Sequence, residues 1–265
     1  MSIYGNPVVL GSSKGGGGDV PLLSKAAWDA LSTAQKQAYG LVAVQDANIG
    51  FDRGELYYGA DYLDLLTNSV AANILAQAFA SHYVGGTDWD GVTLTASAEI
   101  VDSALRLTTS IAAYYQFAQS YSQPVTFYAV AKRYDSTSGN KTVLAIPYDA
   151  SAGNLPNFFE NNYALYTSVY GSDYSISGKQ SNAWHVYTIA IDSVNRRAYF
   201  YIDGSFIRYI AFSASGRECV LGAATKSLLN SLPLDVKFMG VVSGQESDAT
   251  ILANHQNIMT YYEIS

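Results

Sequence analysis

The stretch Trp184–Ile207, WHVYTIAIDSVNRRAYFYIDGSFI, decides the fold. From Trp184 to Ile191 two residue sets alternate, Trp184/Val186/Thr188/Ala190 and His185/Tyr187/Ile189/Ile191. A polar turn follows, Asp192-Ser193-Val194-Asn195-Arg196. Alternation then resumes, with Ala198/Phe200/Ile202 on one side and Tyr199/Tyr201 on the other, up to a second turn at Asp203-Gly204. Alternation with period two, rich in β-branched and aromatic residues and cut by Asp/Asn/Gly turns, predicts an antiparallel hairpin.

The sequence on either side has the same character. VTLTASAEIV and ALRLTT read as strands paired around Asp102-Ser103. Tyr114–Phe117, Val125–Lys132, Thr142–Pro147, Ala164–Tyr170 and Val220–Gly222 add further strands, with DSTSGN (Asp135–Asn140) as a turn. Many short strands without intervening long amphipathic helices favour a sandwich over a parallel α/β sheet. Near the end, Ile251, Leu252, Ile258, Met259 and Tyr262 fall at helical spacing within Asp248–Tyr262.

Before the sandwich, two segments are expected. Residues 1–18 end in a Gly-rich arm, Lys14-Gly15-Gly16-Gly17-Gly18. Residues 19–85 read as a small helical extension. In it Ser24 caps a helix over Lys25–Leu31, and Ser32-Thr33-Ala34-Gln35 starts a second one ending at Gly40. LVAVQDANIGFDRGELYYG follows as strand, turn and a further strand or loop, and Val70–Val84 reads as a helix or, alternatively, an irregular entry to the sandwich. The sandwich itself is expected over 86–265.

Composition narrows the function. Apolar residues make up 49% and charged residues 14% of 265, enough for a large core. Tyrosine is abundant, at 22, and serves both half-buried strand faces and binding surfaces. A net charge of −7 without a Lys/Arg cluster argues against nucleic acid. Cys219 is the one cysteine, so no internal disulfide forms, and its apolar setting predicts a buried thiol. The start MSIYGNPVVLGSSKGGGG lacks a charged segment followed by a long apolar one. No secretory signal is therefore expected, and synthesis in the cytoplasm is, with display on a virion as a route outward. No segment reaches the length of a membrane span.

The hairpin wording, W-H-x-Y-x-I-x-x-D followed by a-Y-x-Y-x-D-G, resembles the laminin-G-like branch of the concanavalin A-like lectin/glucanase superfamily. MGVVSGQESDATILANHQNIM matches that branch's closing strand and capped helix loosely, with its acidic pair reduced to Asp248. The resemblance covers roughly residues 89–265. It implies a mainly β fold: an antiparallel jelly-roll β-sandwich with a small helical extension before it and a short C-terminal helix. It also implies glycan or receptor binding. The segment ahead of the sandwich, PLLSKAAWDALSTAQKQAYGLVAVQDANIGFDRGELYYGADY, resembles the head of tail-associated minor structural proteins of phages and prophages of Gram-positive gut bacteria. That resemblance implies contact with a host surface and assembly with copies or virion neighbours through residues 1–60.

Catalytic patterns are weak. A glucanase of this superfamily carries two glutamates and an aspartate on one strand face, with the carboxylates about 5 Å apart in a retaining enzyme. Here Glu99 and Asp102 are three apart, so a regular strand sends them to opposite faces, and the second glutamate is missing. His82, His185 and His255 show no zinc spacing, and no nucleophile elbow is present. Calcium is admitted by the family, and Asp88, Asp90, Asp149 and Asp173 could offer oxygens. None lies in a calcium motif, so they read as solvated turn acids, and neither cofactor nor metal is expected.

Sugar sites pair an aromatic platform with polar groups that fix hydroxyls. Residues 148–174, YDASAGNLPNFFENNYALYTSVYGSDY, concentrate both kinds. Asn157, Asn161, Asn162, Tyr163, Tyr166, Tyr170 and Tyr174 form the first candidate rim. The second candidate is Arg197, Tyr199 and Tyr201, with Arg208 nearby. The expected function is non-enzymatic binding of a cell-surface glycan or protein receptor, by a protein displayed on a phage or prophage tail. The alternatives are a purely structural virion or surface protein and a divergent glycoside hydrolase.

Overall fold

The computed structural model describes residues 8–9, 21–31, 35–36, 41–45, 55–58, 65–117, 124–135, 139–147, 156–168, 173–211, 218–225, 227–228 and 230–264. The chain divides into two compact units, residues 1–64 and 65–265.

The first unit holds a four-stranded sheet, β1 (Val8–Val9), β2 (Pro21–Ser24), β3 (Leu41–Gln45) and β4 (Glu55–Tyr58), hydrogen-bonded in that order. The β2–β3 pair is parallel and the other two are antiparallel. Ser24 ends β2 and caps helix α1 (Lys25–Asp29), its side chain accepting from the Ala27 N–H at 3.1 Å. Leu23, Trp28, Val42 and Val44 form a small core. The cap and the two later strands fall where the sequence puts them. The helical character does not carry through: this unit is built on a sheet, because LVAVQ is β-branched and buried on both sides of the strand at Val42–Val44. The Gly-rich arm and most of the expected helix ending at Gly40 lie outside the described residues.

The second unit is an antiparallel β-sandwich. Its described strands are β5 (Ile74–Phe79), β6 (Asp88–Trp89), β7 (Val92–Leu94), β8 (Glu99–Val101), β9 (Ala104–Leu107), β10 (Ala113–Gln116), β11 (Val125–Arg133) and β12 (Lys141–Ala145). They continue with β13 (Asn157–Asn161), β14 (Ala164–Ser168), β15 (Tyr174–Gln180), β16 (His185–Asp192), β17 (Arg197–Ile202), β18 (Ser205–Ala211), β19 (Glu218–Leu221) and β20 (Leu234–Ser243). One sheet runs β15-β14-β13-β12-β19-β10-β7-β6. The other runs β18-β17-β16-β11-β20-β9-β8, with β5 also paired to β20. Helix α2 (Asp248–Tyr262) follows β20.

Alternation decides which face each residue takes. In the opening hairpin, Tyr187, Ile189, Ile191, Ala198, Phe200 and Ile202 enter the shared core of the sandwich. The facing sheet sends in Phe158, whose ring meets Tyr187 at 5.2 Å and Phe200 at 5.3 Å, both edge-on. Cys219 is buried in the same core. The opposite set, Thr188, Ala190 and Tyr201 with Tyr128 across from Thr188, faces outward. Helix α2 covers part of that face, with His255, Asn254 and Asp248 reaching Thr188, Tyr128 and Tyr201.

Residues 65–85 belong to the sandwich unit rather than to the extension. The helix expected over Val70–Val84 is instead a strand, β5, between two short 3₁₀ turns, Ala71–Asn73 and Ala80–His82. Its apolar residues fit a helical stripe, but pairing with Phe238–Val242 satisfies its backbone and overrides that spacing. Gln77 accepts from the Leu65 and Leu66 N–H groups at 3.1 and 3.3 Å, which draws 65–70 onto the sandwich. Gly240 makes room there: a Cβ on it would lie 3.0 Å from Leu66 Cδ1 and 2.8 Å from Phe238 Cζ. No helix among the described residues is long and apolar enough to cross a membrane.

Candidate functional site

The two sequence-predicted candidates fare differently. In the first, β13 and β14 form a hairpin closed by two residues, Asn162 and Tyr163, both at positive φ (49° and 70°) as a tight hairpin turn demands. An aromatic residue at positive φ is unusual, and here it is held down. The Tyr163 N–H donates to Glu160 Oε2 at 2.9 Å, and the Arg133 guanidinium lies 4.2 Å from the ring centroid. Glu160 is wholly buried and also accepts from Arg133 Nη1 at 2.5 Å and Ser181 Oγ at 3.1 Å. Tyr163 therefore closes this end of the sandwich.

Tyr166 is half-buried and stacks on Phe159, with centroids 5.0 Å apart and planes 16° from parallel. Register places Asn157, Phe159 and Asn161 on that same outer face. Asn157 Oδ1 is buried without a hydrogen-bond partner. Tyr174 is elsewhere: it lies under Arg208 at 4.8 Å, and the two join the edge strands β15 and β18 of the two sheets. Tyr170 lies outside the described residues.

The second candidate is richer than the sequence suggests. Arg197 and Tyr199 are half-buried on the outer face of β17. A bulge lies between Phe200 and Tyr201, so Tyr199 opposes Tyr209 while Tyr201 opposes Phe206. Four aromatic side chains thus share one face. Tyr199 lies 5.8 Å from Tyr209 and 6.4 Å from Phe206, and Tyr201 lies 5.4 Å from Phe206. Arg197 sits over Tyr209 at 4.4 Å. Phe206 is 46% and Tyr209 48% exposed, large values for rings this size.

Tyr201 is the exception in this cluster. It is fully buried beside α2, and its hydroxyl donates to Asp248 Oδ1 at 2.6 Å. Burial first, and then the Asp248 carboxylate, push its ionisation well above the ordinary tyrosine range. It anchors the helix and supports Phe206 from below.

Phe206 and Tyr209 escape a reading by alternation because they stand three apart, which in a regular strand sends them to opposite faces. Only the bulge brings them together. The exposed aromatic residue just past the Asp203-Gly204 turn is the one signal the sequence offers.

The carboxylates considered for chemistry have structural positions. Glu99 is exposed on β8 opposite Arg106, and Asp102 lies in the β8–β9 turn at φ 51°. Asp88 accepts from the Gly91 N–H, and Asp90 meets His82 Nδ1 at 2.9 Å and the Phe79 N–H at 3.1 Å. Asp173 is exposed, and Asp149 lies outside the described residues. Among the described residues, no group of three or more His, Cys, Asp or Glu is placed to hold a metal ion.

What the fold and this surface define is an antiparallel β-sandwich with an aromatic patch on one edge hairpin. No family model matches the chain, and no curated protein matches it in sequence. Solved structures do resemble it. One is the sialidase of Trypanosoma rangeli in complex with sialic acid, at a TM-score of 0.56 and 12% identity, over 74% of this chain and 34% of that one. The same sialidase with the inhibitor DANA gives 0.54 and 12%, over 71% and 33%. The binding domain of botulinum neurotoxin DC in complex with SialylT gives 0.46 and 9%, over 74% and 52%. This chain spans about a third of the sialidases' length, and at such identities the likeness is one of fold.

Proposed function

We propose that this protein is a non-enzymatic binder of a cell-surface glycan or receptor, and that the patch of Arg197, Tyr199, Phe206 and Tyr209 is its contact surface. The single observation that carries the reading is the exposure of Phe206 and Tyr209 beside a guanidinium on the β17–β18 hairpin. Aromatic rings match the apolar faces of sugar rings, and a guanidinium supplies donors for hydroxyl or carboxylate oxygens. Tyrosine gives contact area with little loss of conformational entropy. The sialic acid named for the sialidase neighbour is consistent with this class of ligand.

Three of the buried carboxylates, Glu160, Asp203 and Asp235, are each held by a cationic side chain, which supports a non-enzymatic reading. The placement on a phage or prophage tail extends the reading. It rests on the likeness of residues 21–62 to tail-associated proteins.

Labelled full-length protein incubated with intact Gram-positive gut bacteria and purified wall glycans tests both levels. Saturable retention, competed by one sugar fraction and lost in Phe206→Ala/Tyr209→Ala, is expected. Folded protein that is retained on no cell and by no glycan would sink the binding role and leave a purely structural one.

A further inference from the structure

Lys132, Trp184 and Lys237 converge on the outer face of the second sheet, beside the last turn of α2. Nζ of Lys132 lies 4.9 Å and Nζ of Lys237 4.7 Å from the Trp184 ring. The two ammonium groups therefore sit within roughly one Debye length of each other, ~10 Å at 0.1 M salt. Lys237 is the extra residue of a bulge in β20, since Ala131 opposes Val236 while Val130 opposes Phe238. Tyr262 fixes it from the helix side, donating to the Lys237 carbonyl at 3.1 Å, with its ring 5.4 Å from the ammonium.

The surrounding acids do not neutralise this pair. Asp235, opposite Lys132 in register, is gripped by Arg106 through Nε–Oδ1 at 2.9 Å and Nη2–Oδ2 at 3.3 Å. Asp203 is taken by Lys179 and His185, each at 2.6 Å. Glu263 at the end of α2 acts on Lys237 only at a distance, and neither lysine has a carboxylate in ion-pair contact among the described residues. Burial, followed by the charge on Lys132, holds the Lys237 ammonium below the ordinary lysine range, while Glu263 opposes this. The chain carries −7 overall, so this is a local feature and not part of a generally basic surface.

Two cations fixed side by side with no carboxylate in ion-pair contact repel each other, and an anion seated beside both is attracted by both. We propose that Lys132, Trp184 and Lys237 form a binding site for one anionic group, a carboxylate or sulfate, carried on a saccharide. The saccharide rests on the glycan reading above; the anion rests on the two lysines alone. The site is distinct from the aromatic patch, so an acidic glycan could use it as a second point of attachment.

The test titrates full-length protein with dextran sulfate, and in parallel with uncharged dextran, inorganic sulfate and vesicles containing phosphatidylserine, following tryptophan fluorescence. Trp28 and Trp89 are buried, so the half-buried Trp184 is the reporter, and Trp184→Phe should remove the signal. Saturable binding of dextran sulfate is expected, competed by inorganic sulfate and absent for dextran. Lys132→Ala/Lys237→Ala should weaken it about tenfold, which corresponds to ~1.4 kcal/mol. Lys132→Gln and Lys237→Gln, which keep most of each stem, serve if the alanine pair fails to fold. Unchanged affinity in the lysine variants, no binding of dextran sulfate, or a response to vesicles alone would overturn the site. Cell retention lost in Phe206→Ala/Tyr209→Ala with dextran sulfate binding intact supports both readings. Dextran sulfate binding by a protein that no cell retains would remove the adhesion role and leave the anion site standing.

Discussion

The backbone N–H of Gly204 donates to Nδ1 of His255 at 2.8 Å. That one bond ties α2 to the turn between β17 and β18, and it fixes the proton on the other ring nitrogen, which meets Thr188 Oγ1 at 2.7 Å. A second proton would have to displace the Gly204 donor inside a buried site, so burial holds His255 down to about 4 from an ordinary 6.5. Above pH 6.5 both folded and unfolded chains carry a neutral ring, and stability is full. Between 6.5 and 4 the unfolded chain takes up a proton that the folded one refuses, so stability falls as pH falls, by about 3 kcal/mol in all. Below 4 this dependence ends. Asp203, held below the ordinary carboxylate range by His185 and Lys179 against the opposing effect of burial, extends the loss to lower pH, as its folded form becomes protonated. Denaturant unfolding at pH 7.5, 6, 5 and 4 should show this slope in the parent and a much flatter one in His255→Gln. A flat parent profile would show that His255 titrates alike in both states.

The buried pair Arg133–Glu160 gives a prediction of another kind, read at neutral pH. Both side chains are almost fully shielded, and Glu160 gathers Arg133, Ser181 and the Tyr163 N–H at one carboxylate oxygen. Glu160→Gln removes the carboxylate 2.5 Å from the buried Arg133 guanidinium, a loss of about 3–5 kcal/mol. The midpoint of urea unfolding reads it directly. A loss below about 1 kcal/mol would mean that Asp135, 3.8 Å from Arg133 Nε, replaces Glu160 as the counter-charge.

Much of this architecture is legible in the sequence because alternation and turn chemistry agree. Trp184–Ile202 divides into the two faces that its period predicts, and Ser247 and Asp248 begin a helix that ends at Tyr262. What fails is whatever depends on partners far along the chain. Ile74–Phe79 has helical spacing but lies beside β20, and only a strand more than 150 residues later determines its state. The aromatic patch is half-legible for the same reason. Arg197 and Tyr199 follow from alternation, whereas Phe206 and Tyr209 require a bulge that no local pattern announces. Tyr201 shares a face with Tyr199 as expected, but the helix that buries it arrives from the far end of the chain.

Thr167 offers a substitution that should stabilise the protein. Its hydroxyl is buried without a hydrogen-bond partner, on β14 opposite Phe158. An unpaired buried hydroxyl retains its desolvation cost and gains nothing in return, and valine has nearly the same shape. Thr167→Val is expected to raise stability by up to ~1 kcal/mol, visible as an increase in both thermal and denaturant midpoints. A decrease would reveal a polar partner for that hydroxyl in solution.

Tyr201 and Tyr209 separate structure from binding within one patch. Tyr201→Phe keeps the ring beneath Phe206 and removes only the hydroxyl that donates to Asp248 at 2.6 Å. Hydrogen bonds to charged groups contribute about 1.5–3 kcal/mol, so stability should fall by roughly that much while glycan or cell binding persists at temperatures where the variant is folded. Tyr209→Ala removes a side chain that is 48% exposed and stacked against Arg197, so stability should change by less than about 1 kcal/mol. Binding, by contrast, should weaken at least tenfold if the ring is a contact platform. Thermal unfolding and cell-retention assays on the two variants make the comparison. If Tyr209→Ala binds like the parent, the ligand lies elsewhere on the sandwich, and the face bearing Asn157, Phe159 and Tyr166 becomes the surface to mutate next.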